Sequence, residues 1–340
     1  MRHTTKAAAA LLVFLLVAGS LISAGAQEPD SGESGEQHFL LTFVGDCTLG
    51  ALPSQYGAGL GIVKTVGEDY GYPFRNVMDY FSNDDATFIN LEGALTDQGY
   101  PSDKTYNFRG PTDFINILTQ SSVDVVTLAN NHTMDYGQVG YDSTRSVLEG
   151  AEIPYVERDC SRLITLDGGL TVGIYGMVYY RLDLEDMKSE IVSLREQGAE
   201  LVIVAPHWGI EGNYRPNDAQ IEAAHEAIDA GADIVWGSHP HVLQPVEEYG
   251  DGIIYYSMGN FCFGGNGYPD DFDTALFQQE VIRSTEGAVS LGGLTIVPCS
   301  ISSVSNLNNF QPTPMEPGTA EYNRVLSKLD GSFNGPNLIV

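Results

Sequence analysis

A chain of 340 residues with 43% hydrophobic and 18% charged positions can bury a sizeable core, which argues against a disordered, collagen-like or small disulfide-stapled protein. Lys and Arg total 16 against 45 Asp and Glu, a formal net charge of -29. The surrounding field repels polyanions, so no nucleic-acid partner is expected, and an anionic substrate would need local cations to hold it, either bound metal or a placed arginine.

Residues 1–26 set Arg2 and Lys6 before an apolar run from Ala7 to Ile22 and end on Ala24-Gly25-Ala26. That is the order of a secretory signal peptide with its cleavage site, with an uncleaved membrane anchor as the alternative. Export to the cell surface or beyond is therefore expected. Residues 27–37 contain no hydrophobic side chain and read as a flexible linker. The folded domain is expected over 38–300, and residues 301–340, rich in Asn, Ser and Pro, as a C-terminal peripheral tail.

From His38 onward short apolar runs alternate with amphipathic stretches, which predicts strands and helices taken in turn. The predicted strands are Phe39–Val44, Ala86–Leu91, Val123–Leu128, Leu170–Tyr175, Leu201–Ala205, Asp233–Trp236, Ile253–Ser257 and Gly292–Val297. Predicted helices cover Pro111–Gln120, with Thr112 as N-cap, then Gly137–Leu148, Asp183–Gln197 and Pro216–Ala230. The last is the clearest, with Ile221, Ala224 and Ile228 on one face and Gly231 beyond its end. Such alternation implies an α/β layered domain. Four cysteines (Cys47, Cys160, Cys262, Cys299) permit three complete pairings; a Cys47–Cys262 bridge is one expectation and free buried thiols the other.

Polar residues gather where predicted strands end, the place where ligand-binding loops of open α/β sheets collect. These junctions are Gly45-Asp46, Asn90-Leu91-Glu92-Gly93, Asn130-Asn131-His132, His207-Trp208-Gly209 and Ser238-His239-Pro240-His241. His225, on the apolar face of the best helix, reads as a core histidine. His132, His207, His239 and His241 all follow strand ends and, with Asp46, Glu92 and Asn131, form a mixed nitrogen and oxygen donor set. Such a set suits Zn, Mn, Fe or Ni, one ion or two. His239 and His241, two apart on an extended loop, would face the same side. Bound cations would also supply the positive charge that the rest of the chain lacks.

In order along residues 38–265, Gly45-Asp46 with Leu49-Gly50, Asn90 to Gly93, Phe108-Arg109 with Pro111, Leu128 to His132 with Asp135-Tyr136-Gly137, His207-Trp208-Gly209, Gly237 to Gln244, and Tyr256 to Phe261 resemble the CapA-type poly-γ-glutamate capsule-synthesis proteins. That family is similar to the calcineurin-like metallophosphoesterases. The resemblance implies a four-layer α/β/β/α sandwich of metallophosphoesterase type with a dinuclear centre between strand-end loops. It implies Asp46, Glu92, Asn131, His207, His239 and His241 as metal ligands, with Glu92 bridging. His132 would be the general acid, Asp135 would orient it and raise its pKa, and Arg109 would contact a substrate anion.

The chain departs from the superfamily pattern in two places. Its first motif, Asp46-Cys47-Thr48, lacks the usual second ligand, and Glu92 stands where Asp is usual. From the capsule-synthesis family, whose members often run Glu-Tyr directly, it departs in Gly212-Asn213, which separates Glu211 from Tyr214 and implies a reshaped loop. The resulting expectation is an exported metal-dependent phosphoesterase-like protein that makes, exports or anchors an anionic capsule polymer, with that polymer or a phosphorylated substrate, and membrane capsule-synthesis proteins, as partners. A non-catalytic polymer-binding or assembly factor and a secreted general phosphatase are the alternatives on the same fold.

Overall fold

Period-two burial along the strands builds three hydrophobic layers from two sheets, because successive strand side chains point to opposite faces. The computed structural model describes residues 35–56, 61–178 and 183–338. The expected signal segment and all but the last residues of the linker lie outside them. In chain order the strands are β1 (Gln37–Thr48), β2 (Ala86–Leu91), the short pair β3 (Ala94–Leu95) and β4 (Arg109–Gly110), β5 (Val125–Thr127), β6 (Tyr155–Val156), β7 (Cys160–Thr165), β8 (Thr171–Val178), β9 (Leu201–His207), β10 (Ile234–Trp236), β11 (Val246–Tyr249), β12 (Gly252–Tyr255), β13 (Asn260–Phe263), β14 (Asp273–Arg283), β15 (Val289–Ser300) and β16 (Thr313–Pro314).

The first sheet runs β16-β15-β14-β1-β2-β5-β6 with β13 beside β1, and the second runs β11-β12-β10-β9-β8-β7. β1, β2, β5 and β6 are mutually parallel, as are β8, β9, β10 and β12, so their C-terminal ends share one side of each sheet. Phe43 and Phe88 of the first sheet stack at 4.8 Å and meet Trp236 and Tyr255 of the second at 5.7 and 5.9 Å from Phe43. These rings form the middle of the inter-sheet core. Each buried aromatic or aliphatic side chain of this kind contributes about 1.5–3 kcal/mol.

Helices cover both outer faces. The short helices α1 (Pro53–Tyr56), α2 (Ile62–Val66), α3 (Met78–Phe81) and α4 (Ile115–Thr119), with α5 (Gly137–Gly150), lie along the first half of the chain. Of these, Ile62, Phe81, Ile117 and Leu148 pack on Ile89, Val126 and Phe261 of the first sheet. Helices α6 (Leu184–Glu196) and α7 (Asp218–Asp229) pack Met187, Ile191, Ala223 and Ala227 against Tyr175, Val202 and Val204 of the second. Asp183 caps α6 by accepting from the Asp186 N–H, and Asn217 with Gln220 forms a capping box on α7. The result is the expected α/β/β/α sandwich.

Several local expectations are corrected. Pro111–Gln120 opens as a 3-10 turn at Thr112–Phe114, with Pro111 in the cap position, and the Thr112 hydroxyl donates to Asp97 instead of capping. All four cysteines are free thiols. Cys47 and Cys262 are register neighbours on parallel strands, each fully buried, without a bridge. His225 is half-buried outside the core, stacked 3.8 Å from the Tyr249 ring and 3.2 Å from Glu247. Residues 301–340 are more than a peripheral tail: α8 (Ala320–Leu329) sends Val325 and Leu329 into the inter-sheet core, and β16 extends the first sheet. Among the described residues no helix is long and apolar enough to cross a membrane.

Candidate metal centre

Irregular pairing at the end of β1 creates the first wall. Phe43 pairs with Phe88 but Asp46 pairs with Asn90, so β1 carries one extra residue there. A bulge of this kind re-aims a side chain at a strand end. Gly45 is required beside it, because a Cβ would lie 2.0 Å from the Gly259 carbonyl oxygen, whose partner is the Asp46 N–H at 2.8 Å. Asp46 is fully buried. One of its oxygens accepts from the Asn90 side chain at 2.8 Å and the other lies 3.2 Å from His241 Nδ1.

Immediately after β2, Glu92 enters the same space. Both of its carboxylate oxygens are buried without a hydrogen-bond partner, and Oε1 is 3.5 Å from His207 Nε2, 3.8 Å from His241 Nε2 and 3.9 Å from His132 Nε2. The loop after β5 is held by Asn130. Its amide donates to Asn90 and to the Leu91 carbonyl, while its oxygen accepts from the His132 N–H and the Thr133 hydroxyl. That anchoring turns Asn131 Oδ1 to within 2.9 Å of His207 Nε2.

The second sheet supplies the other wall. His207 ends β9 with Nδ1 2.8 Å from the Ser238 hydroxyl and Nε2 3.2 Å from His239 Nδ1. The loop carrying His239 and His241 is not extended: both residues adopt left-handed backbone, φ 96° and 58°, on either side of Pro240. Their rings still face one mouth, 6.0 Å apart, and His241 Nδ1 is 3.0 Å from Asn260 Oδ1.

Electrostatics follow from this crowding. Burial pushes the Glu92 carboxyl well above the usual carboxylate range. Burial pushes His207 and His239 down, reinforced by their imidazole neighbours. For His241 burial acts downward as well, but facing Glu92 and Asp46 carry it up to about 10. His132 differs from expectation. Asp135 does raise it through a 2.8 Å contact at Nδ1, yet burial outweighs that and Lys104 opposes it, so its pKa is lowered.

All six expected ligands line one pocket, and His132 with Asp135 stands at its edge. Arg109 lies in β4 with its guanidinium 4.8 Å over the ring of Tyr136, the residue after Asp135. Three kinds of residue escaped the sequence reading. Asn90, Asn130, Ser238 and Asn260 orient the ligands. Lys104 pairs with Asp135 and donates to the Asn131 carbonyl at 2.9 Å. Glu211, four residues past His207, joins His239 and His241 in a group whose ligating atoms lie within 4.8 Å of one another. Asp46, Glu92 and His241 form a second such group. The asparagines and Ser238 sit inside the motifs quoted from the sequence but were given no role there, whereas Lys104 and Glu211 lie outside them and are of types ordinary in a loop.

The pocket fits divalent cations. Two orphaned carboxylate oxygens in a buried setting are costly unless a cation or proton satisfies them, and the surrounding imidazole and amide atoms are donors suited to such ions. Fold and side chains together define a class: an α/β/β/α sandwich with a candidate cation pocket at its strand ends.

The family model of the bacterial capsule synthesis protein PGA_cap matches residues 40–180 and 159–265. The chain belongs to that family. The capsule biosynthesis protein CapA of Bacillus anthracis is 29% identical over 317 residues, covering 85% of this chain and 72% of that protein. The PGA biosynthesis protein CapA of Bacillus subtilis (strain 168) is 27% identical over 347 residues, covering 95% and 88%. Among solved structures, the NAD nucleotidase NadN of Haemophilus influenzae aligns with TM-score 0.43 at 14% identity, over 88% of this chain and 56% of that one.

Proposed function

We propose that this chain is an exported, divalent-cation-dependent phosphoesterase-like protein that works in the synthesis, export or anchoring of an anionic capsule polymer, poly-γ-glutamate. The family and the names of both Bacillus relatives support the capsule role, and association with membrane capsule-synthesis proteins follows from it. The signal-like order of residues 1–26 supports export. One observation carries the cation dependence: Glu92, fully buried with neither oxygen hydrogen-bonded, is ringed by His132, His207 and His241.

Asp46, Glu92, Asn131, His207, His239 and His241 would hold one or two ions. When bound, these supply Lewis acidity and the positive charge that draws a phosphate oxygen into an acidic protein. His132 holds its proton at Nε2 when charged, with Nδ1 fixed by Asp135, and so can donate to a departing oxygen. Arg109 steers an anionic group at the rim.

Hydrolysis of an aryl phosphate by the full chain with added Mn tests this reading. Turnover that disappears in His132→Ala, with Mn content unchanged, is expected; retained turnover in that variant removes His132 from the acid role. A second reading is favoured by the first motif. Cys47 packs in the hydrophobic core, and Asp46-Cys47-Thr48 offers no imidazole beside Asp46. An ion-loaded protein without turnover that binds poly-γ-glutamate would identify a non-catalytic factor, and turnover of many phosphate esters without polymer binding would identify a general phosphatase.

A further inference from the structure

The two ligand groups share His241 but face different surroundings. Asp46 and Glu92 are fully buried, whereas Glu211, His239 and His241 are all partly exposed. Glu211 forms no hydrogen bond or ion pair among the described residues, although its carboxylate is directed at two imidazoles. Its placement is rigid. Gly209 and Gly212, φ 88° and 75°, bracket it in left-handed turns, and a Cβ at Gly209 would meet the Gln220 side chain at 2.7 Å. The Gly212 N–H donates to the Pro240 carbonyl at 2.9 Å, which ties this loop to the very segment that carries His239 and His241. The Gln244 side chain holds the Asn213 carbonyl at 2.8 Å from the other side.

We infer that Glu211, His239 and His241 form an outer divalent-cation site, distinct from an inner one built on Asp46 and Glu92, with Glu211 as its carboxylate ligand. The inference rests on the cation-dependent reading above. Gly212-Asn213, which separates Glu211 from Tyr214, lets the chain turn so that the carboxylate faces the histidines. Two imidazoles and one carboxylate suit Mn, Zn, Fe or Ni. Partial exposure leaves remaining coordination positions open to solvent, so this ion exchanges faster than the inner one.

The test is ion stoichiometry, which needs no substrate. The full chain is dialysed against Mn and, separately, Zn, and analysed for bound metal, with Mn spin resonance to distinguish one ion from two. Wild type is expected to hold two ions. Glu211→Gln is expected to hold one, with affinity for the second reduced at least about tenfold. Because Glu211 makes no hydrogen bond, that variant should keep its fold, read from circular dichroism, and His239→Ala should reproduce the loss of the second ion. Equal loading and affinity in wild type and Glu211→Gln, with loading lost in Glu92→Gln, would overturn the outer site and leave the broader reading intact. A wild type that binds neither metal would overturn both.

Discussion

Two clusters of buried charge in this molecule are built on opposite terms. Beneath α8, Lys328 is 1% exposed and pairs with Asp271 at 2.6 Å and Asp273 at 2.7 Å, while Arg324 forks onto both oxygens of Asp273 at 2.7 Å. Two cations face two anions, and Tyr214 satisfies a further lone pair of Asp271. The strand-end pocket instead sets Asp46, Glu92, Asp135 and Glu211 against Lys104 and the raised imidazole of His241, and neither oxygen of Glu92 is hydrogen-bonded. A cluster whose charges close among themselves holds the fold together; one left in deficit of cations is arranged for something from outside.

The sharpest way to break this contrast is to unbalance the closed cluster. Lys328→Met leaves two buried carboxylates with one partly exposed arginine, and should lower unfolding stability by about 3–5 kcal/mol, read from urea midpoints. The same removal of charge in the pocket should act in the opposite direction. Glu92→Gln, by replacing a buried carboxyl whose oxygens have no hydrogen-bond partner, should stabilise the ion-free protein by about 1–3 kcal/mol. It should also abolish the rise in thermal midpoint expected when Mn is added to wild type, a rise worth about 2.7 kcal/mol at a hundredfold excess over Kd and reversed by chelator. If Mn stabilises both proteins equally, the pocket is no cation site.

Lys104→Met tests whether the pocket's own cation is a tether. Loss of its bonds to Asp135 and the Asn131 carbonyl should cost about 1.5 kcal/mol and speed amide exchange over residues 130–136. The smallest effect is expected at the opposite end of β2 from Glu92. Burial carries Asp84 up to about 7, against hydrogen bonds from Thr42 and Thr87 that pull it down. The folded state therefore keeps a proton that the unfolded chain releases near pH 4, so stability falls as pH rises from about 4 to 7. Asp84→Asn should flatten that slope in urea midpoints and gain about 1 kcal/mol above pH 7.

Strands carrying unbroken apolar runs were legible in the sequence: β2 is found at Ala86–Leu91, the residues expected, and the predicted segment Leu201–Ala205 extends only to His207. β14 was not, although it pairs with β1 over seven residues, because Gln278, Gln279 and Glu280 interrupt its apolar pattern. Gln279 is buried there by pairing with the Tyr255 hydroxyl at 3.1 Å, a partner 24 residues distant. α8 escaped for a related reason, since its core contacts are carried by only Val325 and Leu329 amid polar neighbours. In the pocket, residues adjoining strand ends could be read from the histidine and carboxylate pattern. Glu211 and Lys104 could not, because what places them is loop conformation and a 27-residue reach, neither of which leaves a periodic trace.

The left-handed conformation of His239 and His241 has a consequence for how this protein can change. L-residues other than glycine hold that conformation at about 1–2 kcal/mol each, so His239→Gly and His241→Gly relax the chain while deleting the imidazoles. Selection for heat resistance alone would drift toward those glycines, and the hardiest descendants would lack two of the proposed cation ligands. Durability and work compete here within a span of three residues.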